Sequence, residues 1–166
     1  MKEQQIQILE RVLRPITYDL NVMLRIPVVP YINGNCAAPL ALYSVTAITF
    51  LGYLVAPEEI GEDEPIKRFL AFSESYCAGN MRETAGTIYN GLVYDLIPGG
   101  MGLGRYGADV ALFDYGQHLV LNADKLALIV LNGIKCLEAD LIEDDELANR
   151  IWGRVVALSD EGEGNE

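Results

Sequence analysis

Residues 37–56 read Ala37-Ala38-Pro39-Leu40-Ala41-Leu42-Tyr43-Ser44-Val45-Thr46-Ala47-Ile48-Thr49-Phe50-Leu51-Gly52-Tyr53-Leu54-Val55-Ala56, without one charged side chain. A bilayer takes about 20 apolar residues to span, so length alone fits a membrane helix. Ser44, Thr46, Thr49 and Gly52 interrupt the run, however, and no second comparable span exists in the sequence. The reading is a buried central helix from Pro39 to Val55, with proline in its first turn and Pro57 beyond its end. A helix apolar on every side has to be enclosed by other elements. That requirement makes the chain a helical bundle rather than a membrane protein.

The flanking segments supply those elements. Ile6, Leu9, Leu13, Ile16, Leu20 and Leu24 recur at helical spacing and predict a helix over Gln5–Leu24. Pro15 should kink or interrupt it, because proline has no amide for the helix ladder. Ile26 to Pro39, with its prolines and Asn33-Gly34-Asn35, is a rigid loop. After an acidic connector, Glu58–Glu64, a helix capped by Asp63 or Glu64 is expected over Pro65–Tyr76, with Ile66, Phe69, Leu70 and Phe72 inward. Asn80 is placed to cap another helix, Met81–Leu96, that stops before Pro98.

Pro98 to Gly107 holds five glycines and reads as a turn-rich loop. It lacks the G-x-x-x-x-G-K-[ST] spacing of a phosphate cradle. A short hairpin follows, with Val110 and Leu112 set against Leu119 and Leu121 around Asp114-Tyr115-Gly116-Gln117. Asn122 then caps a long helix from Ala123 to about Glu138. A final helix, Asp140–Ser159, places Ile142, Leu147, Ile151 and Val155 on or near one face, and its first-turn acids suit a helix N-terminus. The expected architecture is mainly α: one domain over 1–159, a bundle of five or six helices with one small β-hairpin, and a disordered acidic tail over 160–166.

Composition narrows the function classes. The chain has 166 residues, 51% of them hydrophobic, enough for a core without metals or disulfides. Its net charge of -12 opposes nucleic-acid phosphates and anionic lipid headgroups, and its Lys and Arg residues are scattered. Direct nucleic-acid binding and a membrane role are both disfavoured. Cys36, Cys77 and Cys136 lie far apart with no C-x-x-C pair, which points to free thiols in a reducing cytoplasm. Met1–Arg14 has no apolar core of a signal peptide.

Reactive residue types are sparse. Tyr89, Asn90 and Tyr94 form the best local candidate for a binding surface, since positions 90 and 94 share a helix face. His118 follows Asp114 by four residues, so a hairpin could bring carboxylate and imidazole together. A metal held by His118, Asp109 and Asp114 would be weak, and Asp140, Glu143, Asp144 and Glu146 lack the glycine and alternating ligands of a calcium loop. No metal and no cofactor are expected.

The stretch Ile88-Tyr89-Asn90-Gly91-Leu92-Val93-Tyr94-Asp95-Leu96-Ile97-Pro98, with the strand-to-helix junction His118-Leu119-Val120-Leu121-Asn122, resembles a group of uncharacterised bacterial helical proteins. In those a helix ends in arginine, a small pair, leucine-valine and histidine before a proline. Their spacing is distantly similar to HEPN domains, whose arginine and histidine cleave RNA. Cation and imidazole suit that chemistry, one stabilising phosphorane charge and the other moving protons. This chain has Tyr89 and Tyr94 at the matching positions. A phenol with a pKa of about 10 replaces neither group, so the resemblance implies that cleavage by that mechanism is absent.

The functional expectation is a non-catalytic interaction or regulatory protein with a protein partner or self-association. Two alternatives stand beside it. One is a divergent HEPN-like RNA-processing domain using Tyr94 with Arg82 or Arg105; the other is an acidic nucleic-acid mimic. Whether the chain is an enzyme stays open at this point.

Overall fold

The computed structural model describes residues 2–28, 36–57, 60–61, 63–77, 81–93, 102–105, 110–115 and 118–163. Among them the chain forms six helical rods and a three-stranded sheet. The first rod joins α1 (Glu3–Ile8), a π-helical turn (Leu9–Leu13) and α2 (Arg14–Leu24) without a break. Then come α3 (Ala37–Val55), α4 (Pro65–Tyr76) and α5 (Met81–Val93). The strands β1 (Gly102–Gly104), β2 (Leu112–Tyr115) and β3 (His118–Asn122) precede α6 (Ala123–Glu143) and α7 (Asp145–Glu163). The mainly α bundle expected from periodicity is the fold observed.

The central helix is α3. Leu40, Ala41, Ile48, Leu51 and Leu54 are wholly or almost wholly buried in the common core. By length and composition it is the one described helix able to cross a membrane, and 56% of its apolar window is buried inside the fold. Two of its hydroxyls bond within the helix itself. Ser44 donates to Leu40 O at 2.7 Å and Thr49 to Val45 O at 2.8 Å, the local bond that lets these residues sit in a helix. Cys36 precedes it in the left-handed region, at φ 63°. Pro39 lies in the first turn, where a missing amide costs nothing because the first four N–H groups have no intrahelical acceptor.

Helix α4 runs very close against α3. A β-carbon on Gly52 would stand 1.6 Å from the backbone oxygen of Arg68, so only glycine permits this approach. On its other side α4 meets α6, where Gly133 faces the Phe72 ring edge and the Tyr76 carbonyl. Phe69 and Phe72 are fully buried, while Ile66 and Leu70 are partly buried against the core. Glu64 stands at the N-cap, but its side chain does not cap the helix and pairs with Lys67 instead.

Some local expectations change in detail. The interruption expected at Pro15 takes the form of a π turn within a continuous rod: Pro15 occupies the first turn of α2, directly after that turn, and Arg14 N–H reaches back to Leu9 O. The wider turn accommodates the ring that would crowd the carbonyl four residues earlier. Part of the glycine-rich loop is a strand, since Gly102–Gly104 pairs in parallel with β3 and gives the order β1-β3-β2. The boundary between the last two helices falls at Asp144, not near Asp140. The Asp144 carboxylate caps α7 by accepting from Glu146 N at 2.9 Å and Leu147 N at 3.0 Å. Ile142 therefore ends α6 exposed, and α7 extends to Glu163, into the segment expected to be disordered. The expected Asn80 cap, the end of α5 toward Leu96, the 116–117 turn and residues 164–166 lie outside the described residues.

Candidate functional site

Among the described residues, a trough is bordered by α1 with its π turn, α3, α4, α5 and α7. It consists of adjoining hollows. One, of about 410 Å³, is lined by Val45, Thr46, Thr49, Phe50 and Tyr53 of α3, Arg68 of α4, Tyr89 of α5 and Leu158 of α7. The next, of about 510 Å³, is lined by Arg11, Val12, Phe50, Trp152, Val155, Val156, Leu158 and Ser159. Phe50 and Leu158 are common to both. Beyond Arg11 and Trp152 the trough continues for about 400 Å³ along Glu3, Gln4 and Gln7. Val156 and Leu158 stand 39% and 40% exposed on its rim.

The α3 end of the trough is stiffened by arginines. Arg154 Nη1 lies 2.5 Å from Tyr53 O, 3.1 Å from Leu54 O and 2.8 Å from Ala56 O. Arg150 Nη2 donates to Val55 O at 3.3 Å. These are carbonyls that the end of an α-helix leaves without intrahelical partners, and cations favour that pole of the helix dipole. The Arg68 guanidinium lies 4.6 Å from the Tyr53 ring centroid, with Nε and Nη2 both donating to Ile60 O.

The residues singled out from the sequence are dispersed. Tyr89 is buried, with its ring 5.3 Å from that of Phe69, and forms part of the trough wall. Asn90, next to it on α5, is exposed. Tyr94 and Asp109 lie outside the described residues. Arg105 belongs to a different neighbourhood. It is nearly inaccessible, with Nε 2.6 Å from Asp124 Oδ1, Nη1 2.5 Å from Ile26 O and Nη2 2.8 Å from Leu24 O. It fastens the end of α2 to the start of α6, so the expectation that it serves a binding or catalytic surface is corrected: its donors point into the fold. His118 opens β3 opposite Tyr115, whereas Asp114 pairs with Leu119. The register therefore does not set Asp114 and His118 across from each other.

A second hollow, of about 450 Å³, lies where α6 meets α7, lined by Val55, Pro57, Ser75, Tyr76, Asp140, Glu143, Asp144, Leu147 and Arg150. Burial, followed by the Asp140 carboxylate it bonds to, pushes the Tyr76 phenol up to about 12. Burial also pushes the Cys77 thiol from 9.0 to about 12, and burial with Asp19 raises Tyr43 to about 12. A group whose folded pKa is raised stabilises the fold below its unfolded pKa and loses that contribution as pH climbs through the folded value. Unfolding free energy is thus expected to fall from pH about 9, where Cys77 begins to matter, through the tyrosine window of about 10 to 12. Denaturant titrations across this range check it, and Tyr76→Phe should flatten the slope above pH 10. Among the described residues no three His, Cys, Asp or Glu side chains are grouped closely enough to hold a metal ion.

The trough went unread in the sequence because its walls come from five separate segments. One signal was present: Trp152, Val155 and Val156 continue the apolar stripe of α7 around the helix, giving it more apolar surface than one core contact needs. Comparison with protein-family models, curated proteins and solved structures finds no match to this chain.

Proposed function

We propose that this chain is a non-catalytic interaction or regulatory protein that docks a protein partner along the α3–α7 trough. The observation that carries the reading is the run Phe50, Trp152, Val156 and Leu158, an aromatic and aliphatic surface on a rigid helical frame. Binding energy at protein interfaces concentrates on such anchors in well-formed hollows, while surrounding contacts exclude water. The divergent RNA-processing alternative has less support: of its two arginines, Arg105 is engaged by Asp124 and two backbone carbonyls, which leaves only Arg82, exposed on α5.

The test is the double variant Val156→Asp with Leu158→Asp. Both side chains are already partly exposed, so the fold should persist by circular dichroism and thermal unfolding. Partner affinity should fall at least about tenfold, the effect of losing a hot spot. The control is Leu128→Asp, 47% exposed on α6 and no part of the trough wall, which should bind as the parent does. Equal capture by the parent and the double variant overturns the reading. Sedimentation at several concentrations tells a second copy of the chain from a foreign partner.

A further inference from the structure

We infer that the trough's occupant is an amphipathic protein segment with acidic flanks, its apolar side chains between Phe50 and Trp152 and its carboxylates on Arg11 and Arg68. The inference rests on the docking reading above and specifies the partner's chemistry. Its basis is a local inversion of charge. The chain carries -12 overall, yet the charged residues lining the two apolar hollows are both arginines: Arg68 in one and Arg11 in the other. One lining carboxylate, Glu3, enters in the adjoining hollow, which it shares with Arg11 and Trp152.

The two cations are available in different degrees. Arg11 is exposed and makes no ion pair or side-chain hydrogen bond among the described residues, since neighbouring Glu10 is paired with Arg14 at 3.2 Å. Arg68 spends Nε and Nη2 on Ile60 O, which holds its planar head against Tyr53 and keeps Nη1 for a further acceptor. A guanidinium fixed in this way presents Nη1 to one carboxylate oxygen, a charge-assisted bond from a donor already held in place. Apolar floor and basic ends together describe the complement of an amphipathic helix with leucine-type anchors and glutamate or aspartate flanks.

The experiment uses the chain's single tryptophan, Trp152, which lines the trough and reports on it directly. Tryptophan-free synthetic helices with one shared leucine face are prepared in pairs, with glutamate or lysine at the flanking positions. Each is titrated into the full chain while Trp152 emission is followed. Long-range attraction to a chain of charge -12 favours the lysine form, so a preference for glutamate can arise only from the local arginines. The glutamate form is expected to bind on the order of tenfold more tightly, and Arg11→Glu should remove or reverse that preference. Equal or tighter binding of the lysine form overturns the inference, as does a glutamate preference that survives Arg11→Glu. Should both forms bind equally and both be lost in the Val156→Asp, Leu158→Asp protein, the acidic partner fails while docking stands. No emission change with any helix also overturns the inference; unchanged partner capture by that double variant is what removes the docking reading itself.

Discussion

Replacing Gly52 with alanine is expected to cost about 3 kcal/mol or more, although alanine is the better helix former by about 1 kcal/mol. The added methyl would stand 1.6 Å from Arg68 O and 2.6 Å from its carbonyl carbon, and both are backbone atoms that cannot rotate away. Relief requires α4 to move off α3, which opens the contacts of Phe69 and Phe72 with the core. For a chain of this size the melting temperature should fall by roughly 6–12 °C. The same substitution at Gly86 or Gly153 makes the control, because a β-carbon there meets nothing within 4 Å. Those variants should gain up to about 1 kcal/mol from helix propensity and a less flexible unfolded chain. Opposite signs for one chemical change isolate the close approach of α3 and α4. A Gly52→Ala protein as stable as its parent would rule out this close backbone approach of α3 and α4.

Fold class was legible because hydrophobic period is a local property. The uncharged run from Ala37 announced α3, and the bounds of α4 followed from Pro65 and the inward Phe69 and Phe72. Where competing signals were equally strong, boundaries slipped. Between Glu138 and Glu146 several carboxylates could each start a helix, and only the continued burial of Leu137 and Leu141 carries α6 on to Glu143. Asp144 alone among them turns its side chain onto the amides of α7. The short strand β1 was beyond reach for another reason. Gly102-Leu103-Gly104 has no alternation to read, and it is a strand because Val120 to Asn122 lies beside it. Pairing made by distant residues leaves no local trace.

The candidate site was less legible than the fold. Tyr89 was picked out for its place in a motif, and it does line the trough, but as a buried wall against Phe69. Asn90, its neighbour in the motif, faces solvent elsewhere on α5. Arg11 and Arg68 looked like two of many scattered cations, and their meaning comes from the apolar surface that other helices bring beside them. Charge counted over a whole chain hides such an inversion.

Arg105→Ala should destabilise the protein by about 3–5 kcal/mol, the usual cost of removing one partner from a buried ion pair. The substitution strips Asp124 of its cation and leaves the carbonyls of Leu24 and Ile26 without these donors. Arg105→Lys should recover only part of the loss, since one ammonium cannot reach three acceptors that a planar fork spans together. Removing both charges, as Arg105→Met with Asp124→Leu, should cost less than the sum of the two single changes, because neither charge is then left alone. Urea unfolding of the parent, Arg105→Met, Asp124→Leu and the double variant measures this coupling. The outcome also separates two roles for the residue. An arginine kept for substrate would leave stability unchanged when replaced, whereas one that ties the end of α2 to the start of α6 weakens the whole bundle, and the 3% exposure of the Arg105 side chain favours the second.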